Sequence, residues 1–142
     1  MKKLYLSWED ITKHSCDFAD HLKEQGHWTK LVAITRGGLV PAALLARHLG
    51  IKYVDTICLS SYDDVEDLQK KMNILKEIKN PGAEYLVIDD LVDTGVTMRL
   101  AQKMLPNAYR ACLYAKPQGV EYTHSYHILY PQDTWLVFPW EV

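Results

Sequence analysis

The chain has 142 residues, about the length of one domain and enough to bury a single hydrophobic core. Hydrophobic residues make up 48% of it and charged residues 24%, a composition typical of globular rather than disordered proteins. Sixteen basic and eighteen acidic residues give a formal net charge of −2. Because a general nucleic-acid-binding protein needs a basic surplus, we expect no nucleic-acid partner.

The cysteines and the N-terminal segment indicate the cellular compartment in which we expect the protein. Cys16, Cys58 and Cys112 are widely spaced and form no C-x-x-C pair, so neither a disulfide framework nor a zinc site is expected. The N-terminus turns acidic at Glu9 and Asp10, too early for a signal peptide, and no stretch approaches the roughly 20 apolar residues of a membrane span. We expect a cytoplasmic protein, or one held peripherally on the inner face of the membrane.

The predicted elements alternate between helices and strands. The first helix begins after the N-cap residue Ser7, with Asp10 in the capping-box position, and ends at Gly26. Its apolar face is predicted to consist of Trp8, Ile11, Phe18, Ala19 and Leu22. The later elements are strands at 31–35, 53–59, 85–88, 109–115 and 126–130, with helices at 41–49 and 96–105. This alternation predicts an α/β fold in one domain, 1–142, with a mostly parallel twisted sheet flanked by helices.

Two stretches interrupt the alternation. Residues 60–82 include the charged run 63–67 and predict no packed helix, so we interpret them as a mobile loop or hairpin. Residues 131–142 form an aromatic tail punctuated by prolines, with no helix expected. Three large side chains in this tail, Trp135, Phe138 and Trp140, are expected to cover part of the domain.

The strongest motif is the string VIDDLVDTGVT at 87–97. Free backbone N–H groups at the start of the following helix, with the hydroxyls of Thr94 and Thr97, predict a cradle for one phosphate. Neighbouring carboxylates would repel a bare phosphate, so Asp89 and Asp90 fit only if they accept from sugar hydroxyls or work beside a divalent cation. The string therefore predicts a site for a phosphorylated, metal-bound sugar.

Taken singly, each residue of this string has a simpler interpretation, because acids often end a strand and a glycine turn often caps a helix. The whole string directly after an apolar strand favours a functional site. The two common nucleotide-binding loops, G-x-x-x-x-G-K-[ST] and G-x-G-x-x-G, are absent from the sequence.

The string resembles the phosphoribosyl-pyrophosphate motif of the type I phosphoribosyltransferases, which is an apolar strand, two acids and an Asp-Thr-Gly-x-Thr loop. Three further segments, 35–46, 60–63 and 131–135, are similar in the same order to the bacterial branch of that family that uses xanthine and guanine. The resemblance covers about 31–140. It implies the type I phosphoribosyltransferase fold, with a small base-binding hood at about 116–142 and a flexible catalytic loop at about 60–82.

The resemblance also implies how phosphoribosyl pyrophosphate is held. Arg36 and Gly37 would form the pyrophosphate loop, which often contains a non-proline cis peptide in the family. Asp89 and Asp90 would hold the ribose hydroxyls, and Asp89 would support Mg²⁺. Asp93 would contact this substrate and act as the general base or charge stabiliser. The 5′-phosphate would be bound by Thr94, Gly95, Val96 and Thr97, and the catalytic loop would include Ser60, Ser61 and Tyr62.

Lys116 and Trp135 suggest a purine pocket. A lysine ammonium can only donate hydrogen bonds, so it favours a 6-oxo purine over adenine, and an indole can stack on any base. Alone, Trp135 fits a core position and Lys116 an exposed one. The resemblance assigns both to purine binding, together with Leu136 and Glu141, and it includes two departures: Val96 replaces a usual glycine and Glu141 a usual aspartate.

The resemblance implies a magnesium-dependent purine salvage enzyme that converts guanine, xanthine and, less well, hypoxanthine to GMP, XMP and IMP. It also implies a homodimer or homotetramer. One alternative is a hypoxanthine-guanine enzyme with poor xanthine use. A second is a non-catalytic regulator of the same fold that senses phosphoribosyl pyrophosphate, and a third is an oligomeric scaffold. A regulator would need a nucleic-acid-binding element and a basic face, which the sequence does not offer.

Overall fold

A computed structural model of the chain describes residues 1–61 and 72–141. Within these residues it has eight strands and three α-helices, in this order: β1 (Lys2–Tyr5), α1 (Trp8–Gln25), β2 (Lys30–Thr35), α2 (Leu39–Leu49), β3 (Tyr53–Ser61), β4 (Met72–Lys76), β5 (Tyr85–Val92), α3 (Val96–Met104), β6 (Tyr109–Ala115), β7 (Ser125–Leu129) and β8 (Thr134–Val137). Single 3₁₀ turns lie at Val120–Tyr122 and Pro139–Glu141.

The main sheet of the described residues has six strands in the order β4-β3-β2-β5-β6-β7. The strands are parallel except for β4, which pairs antiparallel with β3 at one edge. The chain runs outward from β2 to β3 on one side and from β5 to β6 on the other. In open α/β sheets, ligands bind beyond the carboxyl ends of the strands at such a reversal of strand order. The predicted fold class is confirmed.

Helices cover both faces of this sheet. On one face α1 and α2 pack through buried side chains that include Phe18, Leu22 and Leu45. On the other face α3 contributes Met98 and Ala101, both buried. The strands between them are apolar on both sides, as expected for a parallel sheet enclosed by helices. None of the helices in residues 1–61 and 72–141 is long and apolar enough to cross a membrane.

Some predicted bounds of helices and strands are confirmed, and others differ by one or two residues. The capping box of Ser7 and Asp10 is present, and β6 has its predicted bounds. The second helix begins two residues earlier than predicted, because Gly38 is its N-cap and Pro41 lies in the first turn, where a missing N–H is tolerated. The helix after the acidic motif ends at Met104, and β7 begins and ends one residue earlier than predicted.

Two larger corrections concern the burial of Trp8 and the end of β5. Trp8 is 53% exposed, because it lies at the first position of α1, where its ring lies 6.1 Å from that of Trp140 between centroids. The predicted strand 85–88 continues to Val92, since Leu91 and Val92 still pair with β6. The two acids are therefore part of the strand and do not follow it.

The interrupted stretches have definite structure where they are described. In the first, β3 and β4 form an antiparallel pair, consistent with the hairpin interpretation, and Lys76 Nζ lies 2.6 Å from Asp55 Oδ1 across it. Residues 62–71, and with them Tyr62, lie outside the described residues. In the tail, β8 pairs in parallel with β1, with Leu4 opposite Leu136. Neither of these two short strands was predicted.

Candidate active site

A cleft of about 340 Å³ opens at the carboxyl ends of β2 and β5. One side, here the sheet wall, consists of residues 35–37 and 89–97. The other side, here the hood wall, consists of Lys116 and residues 132–141. The cleft is lined by most of the predicted site residues: Arg36, Gly37, Asp89, Asp90, Asp93, Thr97, Lys116, Trp135, Leu136 and Glu141.

An adjoining cleft of about 180 Å³ lies at the start of α3 and is lined by Thr94, Gly95, Val96 and Thr97, together with Asp89 and Asp93. Gly95 caps the helix with a φ of 91°, a left-handed conformation that other residues rarely adopt. The first turn of a helix leaves backbone N–H groups without intrahelical partners, and the helix dipole adds positive potential there. Val96 has no positive φ, so its side chain is accommodated without strain. This end of the cleft is suited to an anion.

Two neighbouring acids, Asp89 and Asp90, lie within β5 and line the cleft. Asp89 is only 8% exposed. Burial, and then the charge of Asp90, raise the pKa of Asp89 well above its usual range, and burial likewise raises the pKa of Asp90. The carboxylate oxygens accept from the backbone N–H groups of the residues that follow, Asp90 at 2.8 Å and Leu91 at 2.7 Å. A cation or several hydroxyl donors would favour the ionised pair.

Arg36 and Gly37 lie against this acid pair. The Thr35–Arg36 peptide bond is cis, as the resemblance implies. Gly37 leaves no room for a side chain, because a Cβ there would come within 2.5 Å of Asp90 Oδ2. Arg36 is exposed on the cleft, so its guanidinium is available to an anionic ligand. Ser60, at the end of β3, lines a neighbouring cleft with Arg36 and Asp90.

Asp93, on the sheet wall, contacts the hood wall. Its side chain is 48% exposed, in contrast to the acids of β5. Lys116, whose side chain is 3% exposed, places Nζ 3.5 Å from Asp93 Oδ2. The other oxygen, Oδ1, accepts a hydrogen bond of 2.6 Å from Nε2 of Gln132. A carboxylate held by two donors at the mouth of the cleft can accept a proton or stabilise positive charge on a ligand.

The hood wall has one exposed aromatic ring, next to side chains that are buried in the core. Trp135 is 54% exposed, whereas Leu136 beside it is 5% exposed and packs into the core shared with α1 and α2. Glu141 accepts a hydrogen bond of 3.0 Å from the backbone N–H of Phe138. Phe138 in turn stacks on Trp140 at 4.7 Å between ring centroids. The hood is thus a fixed surface with one indole free to contact a ligand.

Gln132 is the site residue that the sequence did not reveal. It lies within the segment 131–135 that carries the resemblance, but one amide side chain has no periodicity or spacing that identifies its partner. Its contact with Asp93 joins positions 39 residues apart. In residues 1–61 and 72–141, no group of three or more His, Cys, Asp or Glu side chains could hold a metal ion by itself.

Comparison with known proteins agrees with this geometry. A sequence model described as the phosphoribosyl transferase domain matches residues 5–142, and the chain belongs to that family. The structure of a purine phosphoribosyltransferase from Pyrococcus horikoshii Ot3 superposes with a TM-score of 0.83 at 26% identity, covering 99% of this chain and 95% of that one.

Two further structures are similar over nearly the whole chain. The xanthine-guanine-hypoxanthine phosphoribosyltransferase of Helicobacter pylori has a TM-score of 0.78 and 26% identity, covering 99% of this chain and 94% of that one. A Neisseria gonorrhoeae protein with bound ppGpp has a TM-score of 0.81, 21% identity and coverage of 99% and 90%. At that identity the Neisseria protein shows a shared fold alone.

Proposed function

We propose that the protein transfers a 5-phosphoribosyl group from phosphoribosyl pyrophosphate to N9 of a 6-oxo purine, with guanine and xanthine used better than hypoxanthine. The bond from the anomeric carbon to the pyrophosphate oxygen breaks, and a bond to N9 forms. Pyrophosphate leaves with the bonding electron pair, and the purine loses its imidazole proton. The products are GMP, XMP or IMP and pyrophosphate.

The observation that carries this proposal is the contact of Lys116, on the hood wall, with Asp93, on the sheet wall. Lys116 is a buried donor that suits the O6 acceptor of an oxo purine, and adenine would leave it facing an amine. Asp93 Oδ2 lies 3.5 Å from Lys116 Nζ. Because N7 and O6 share one edge of an oxo purine, a base whose O6 accepts from Lys116 would bring N7 toward Asp93, as the resemblance implies. In that place Asp93 acts as general base, or stabilises the developing positive charge.

The phosphate end of the site supports a phosphoribosyl donor. The N–H groups at the start of α3, with the hydroxyls of Thr94 and Thr97, provide donors for the 5′-phosphate. Arg36 faces the same cleft, where a planar guanidinium can bind the pyrophosphate through two hydrogen bonds. These groups hold the donor so that the anomeric carbon faces the purine, which favours an in-line transfer.

The acid pair, Asp89 and Asp90, fits a magnesium site in which the substrate supplies some of the ligands. Mg²⁺ usually keeps its waters and binds through one or two carboxylates and the phosphates of a substrate. Asp89 would support the ion, while Asp90 and Asp89 accept from the ribose hydroxyls. The raised pKa of Asp89 fits this role, because a cation would compensate for the burial that disfavours its charge. When bound, Mg²⁺ would neutralise charge on the pyrophosphate.

The hood wall supports recognition of the base. Trp135 would stack on the purine, and Leu136 would pack against it. Glu141 offers an acceptor near the Phe138 backbone, which suits the 2-amino group of guanine better than the 2-oxo group of xanthine. This favours guanine as the better base and keeps open the second candidate, a hypoxanthine-guanine enzyme with poor xanthine use. The similar Helicobacter enzyme carries all three bases in its name.

The test is a spectrophotometric assay of the purified protein with phosphoribosyl pyrophosphate and Mg²⁺, with guanine, xanthine, hypoxanthine and adenine supplied separately. We expect turnover with guanine and xanthine, less with hypoxanthine and none with adenine. Turnover with guanine and hypoxanthine alone would establish the second candidate. Binding of phosphoribosyl pyrophosphate without any turnover would contradict the proposal and favour a sensor of that compound. A homodimer or homotetramer stays a prediction, which light scattering of the same sample would test.

A further inference from the structure

Gln132 holds Asp93 from the opposite wall of the cleft. Its Nε2 donates to Asp93 Oδ1 at 2.6 Å, while its Oε1 accepts from the backbone N–H of Gln118 at 2.9 Å. Because a backbone N–H can only donate, the second contact fixes the orientation of the amide group. The NH₂ group must therefore face Asp93, and the carboxylate there must accept.

The two contacts join three turns that are far apart in the sequence. Asp93 lies in the turn from β5 to α3, and Gln118 lies in the turn after β6. Gln132 lies in the turn between β7 and β8, which is closed by a hydrogen bond of 3.1 Å from the N–H of Thr134 to the carbonyl oxygen of Pro131. That turn leads directly into Trp135. One side chain thus links the hood that would receive the base to the acid that would act on it.

Among residues 1–61 and 72–141, the other side-chain hydrogen bond of Asp93 is the longer contact with Lys116, at 3.5 Å. The Asp93 side chain is 48% exposed, so packing restrains its carboxylate only in part. A freely rotating carboxylate spends less time in the orientation needed for proton transfer, and small displacements of a catalytic group lower turnover strongly.

We propose that Gln132 is a positioning residue for Asp93, orienting its carboxylate toward the imidazole side of the bound purine. This inference rests on the proposed function. It predicts that loss of the amide donor lowers turnover far more than it weakens purine binding, because Trp135 and Lys116 keep their contacts with the base.

The test compares Gln132→Leu and Gln132→Glu with the wild type, measuring kcat and purine KM at saturating phosphoribosyl pyrophosphate. We expect Gln132→Leu to lower kcat about tenfold or more, the effect of losing a hydrogen bond to a charged group, with purine KM changed less than about threefold. Gln102→Leu, an exposed glutamine of α3, is the matched control and should behave as the wild type.

The Gln132→Glu variant separates positioning from a merely structural role. Near pH 8 the introduced carboxylate repels Asp93, and kcat should fall at least as far as in Gln132→Leu. Two neighbouring carboxyl groups take up a shared proton more readily than one alone, and that proton restores a hydrogen bond between them. As the pH is lowered, kcat of Gln132→Glu relative to the wild type should therefore recover, whereas that of Gln132→Leu should not. This recovery decides the question even if Gln132→Leu folds poorly.

Near pH 8, wild-type kcat in either variant would overturn the inference, as would faster turnover, which would mean that Gln132 restrains Asp93 unproductively. Equal loss in both variants without recovery at lower pH would mean that Gln132 only holds the tail in place. If the wild type itself turns over no purine, the proposed function fails and this inference fails with it. The two failures are therefore distinguished by the wild-type assay.

Discussion

The sheet wall and the hood wall of the cleft are built in different ways. The sheet wall follows the ends of two adjacent parallel strands, and its residues lie within two short segments of the chain. The hood wall depends on pairing between β1 and β8 and on packing of Leu136 and Phe138 against the core of α1 and α2. The sheet wall has buried acids with raised pKa values, and the hood wall has an exposed indole and a donor.

This difference separates the tasks of the two walls. A wall formed by strand ends and a helix start is suited to anions and metal ions, whose recognition needs charge and backbone donors. A wall formed by a short parallel pair presents flat apolar surface, which suits a base. Substitutions in each wall should therefore affect different substrates. Asp93 belongs to the sheet wall and contacts the hood wall, so its substitution should affect the chemistry.

The largest effect is expected at Asp93. Asp93→Asn keeps the shape of the side chain but removes its basicity, and we expect kcat to fall about 100-fold or more with both KM values changed little. Asp20→Asn, an exposed acid of α1, is the control and should retain wild-type kcat. Steady-state kinetics with both substrates varied measures this, and wild-type turnover of Asp93→Asn would remove Asp93 from the chemistry.

Trp135→Ala should affect the base alone. Loss of stacking is expected to raise the purine KM roughly 5- to 150-fold, from about 1–3 kcal/mol per stacked base, and to leave the KM for phosphoribosyl pyrophosphate unchanged. Tyr126→Ala, an exposed aromatic residue of β7, serves as control. Equal rises in both KM values would show that the hood supports the whole cleft, contrary to the division between the walls.

Gly37→Ala should have the complementary effect on the sheet wall. Its Cβ would lie 2.5 Å from Asp90 Oδ2, so the pyrophosphate loop or the acid must shift. We expect the KM for phosphoribosyl pyrophosphate to rise about tenfold while the purine KM stays constant. In contrast, Gly50→Ala meets no atom within 4 Å but has a φ of 69°, so it should lower stability by about 1 kcal/mol without changing either KM.

The smallest predicted effect is on thermal stability. It concerns His14 and His127, whose ring centroids lie 5.5 Å apart. Burial lowers the pKa of both, and they face His21, Asp10, Asp17 and Lys13. A histidine with a pKa lowered in the folded state binds protons preferentially when unfolded, so its contribution to stability is lost as the pH falls below about 6.5.

Thermal unfolding at a series of pH values tests this. Between about pH 7.5 and pH 5.5, the Tm of the wild type should fall relative to that of His127→Gln, by about 2–4 °C per kcal/mol of lost stability. His48→Gln, at an exposed position of α2, should follow the wild type. Parallel Tm curves for wild type and His127→Gln would show that this pair is not the cause of any acid sensitivity.

Much of the sheet wall could be predicted from the sequence, because its signals are local. The string 87–97 contains the strand, the acids, the glycine turn and the helix start in one continuous segment. The error there concerned the end of β5. Asp89 and Asp90 are polar, so the apolar pattern stops at 88, whereas pairing of Leu91 with Tyr114 keeps the strand going to Val92. The apolar pattern of one strand does not reveal its hydrogen bonds to a neighbouring strand.

Less of the hood could be predicted. Lys116, Trp135, Leu136 and Glu141 line the predicted cleft. The chemistry of a lysine and an indole suggested a purine pocket for the first two, whereas Leu136 and Glu141 were expected there from the resemblance alone. β1 and β8 have four residues each, too few for a periodicity to emerge, and they exist as strands because they pair with each other. The contact of Gln132 with Asp93 depends on that same arrangement of distant segments.

The pairing of β1 with β8 joins a segment that is synthesised early to one that is synthesised late. Lys2 pairs with Thr134, so the first strand leaves the ribosome about 130 residues before its partner exists. At roughly 5–20 residues per second, Lys2–Tyr5 waits on the order of ten seconds. During that interval the helices and the central strands can already pack, since their contacts are more local. The sheet wall is therefore built from contacts that are nearer in the sequence, whereas the hood wall needs the pairing of β1 with β8, which joins segments about 130 residues apart.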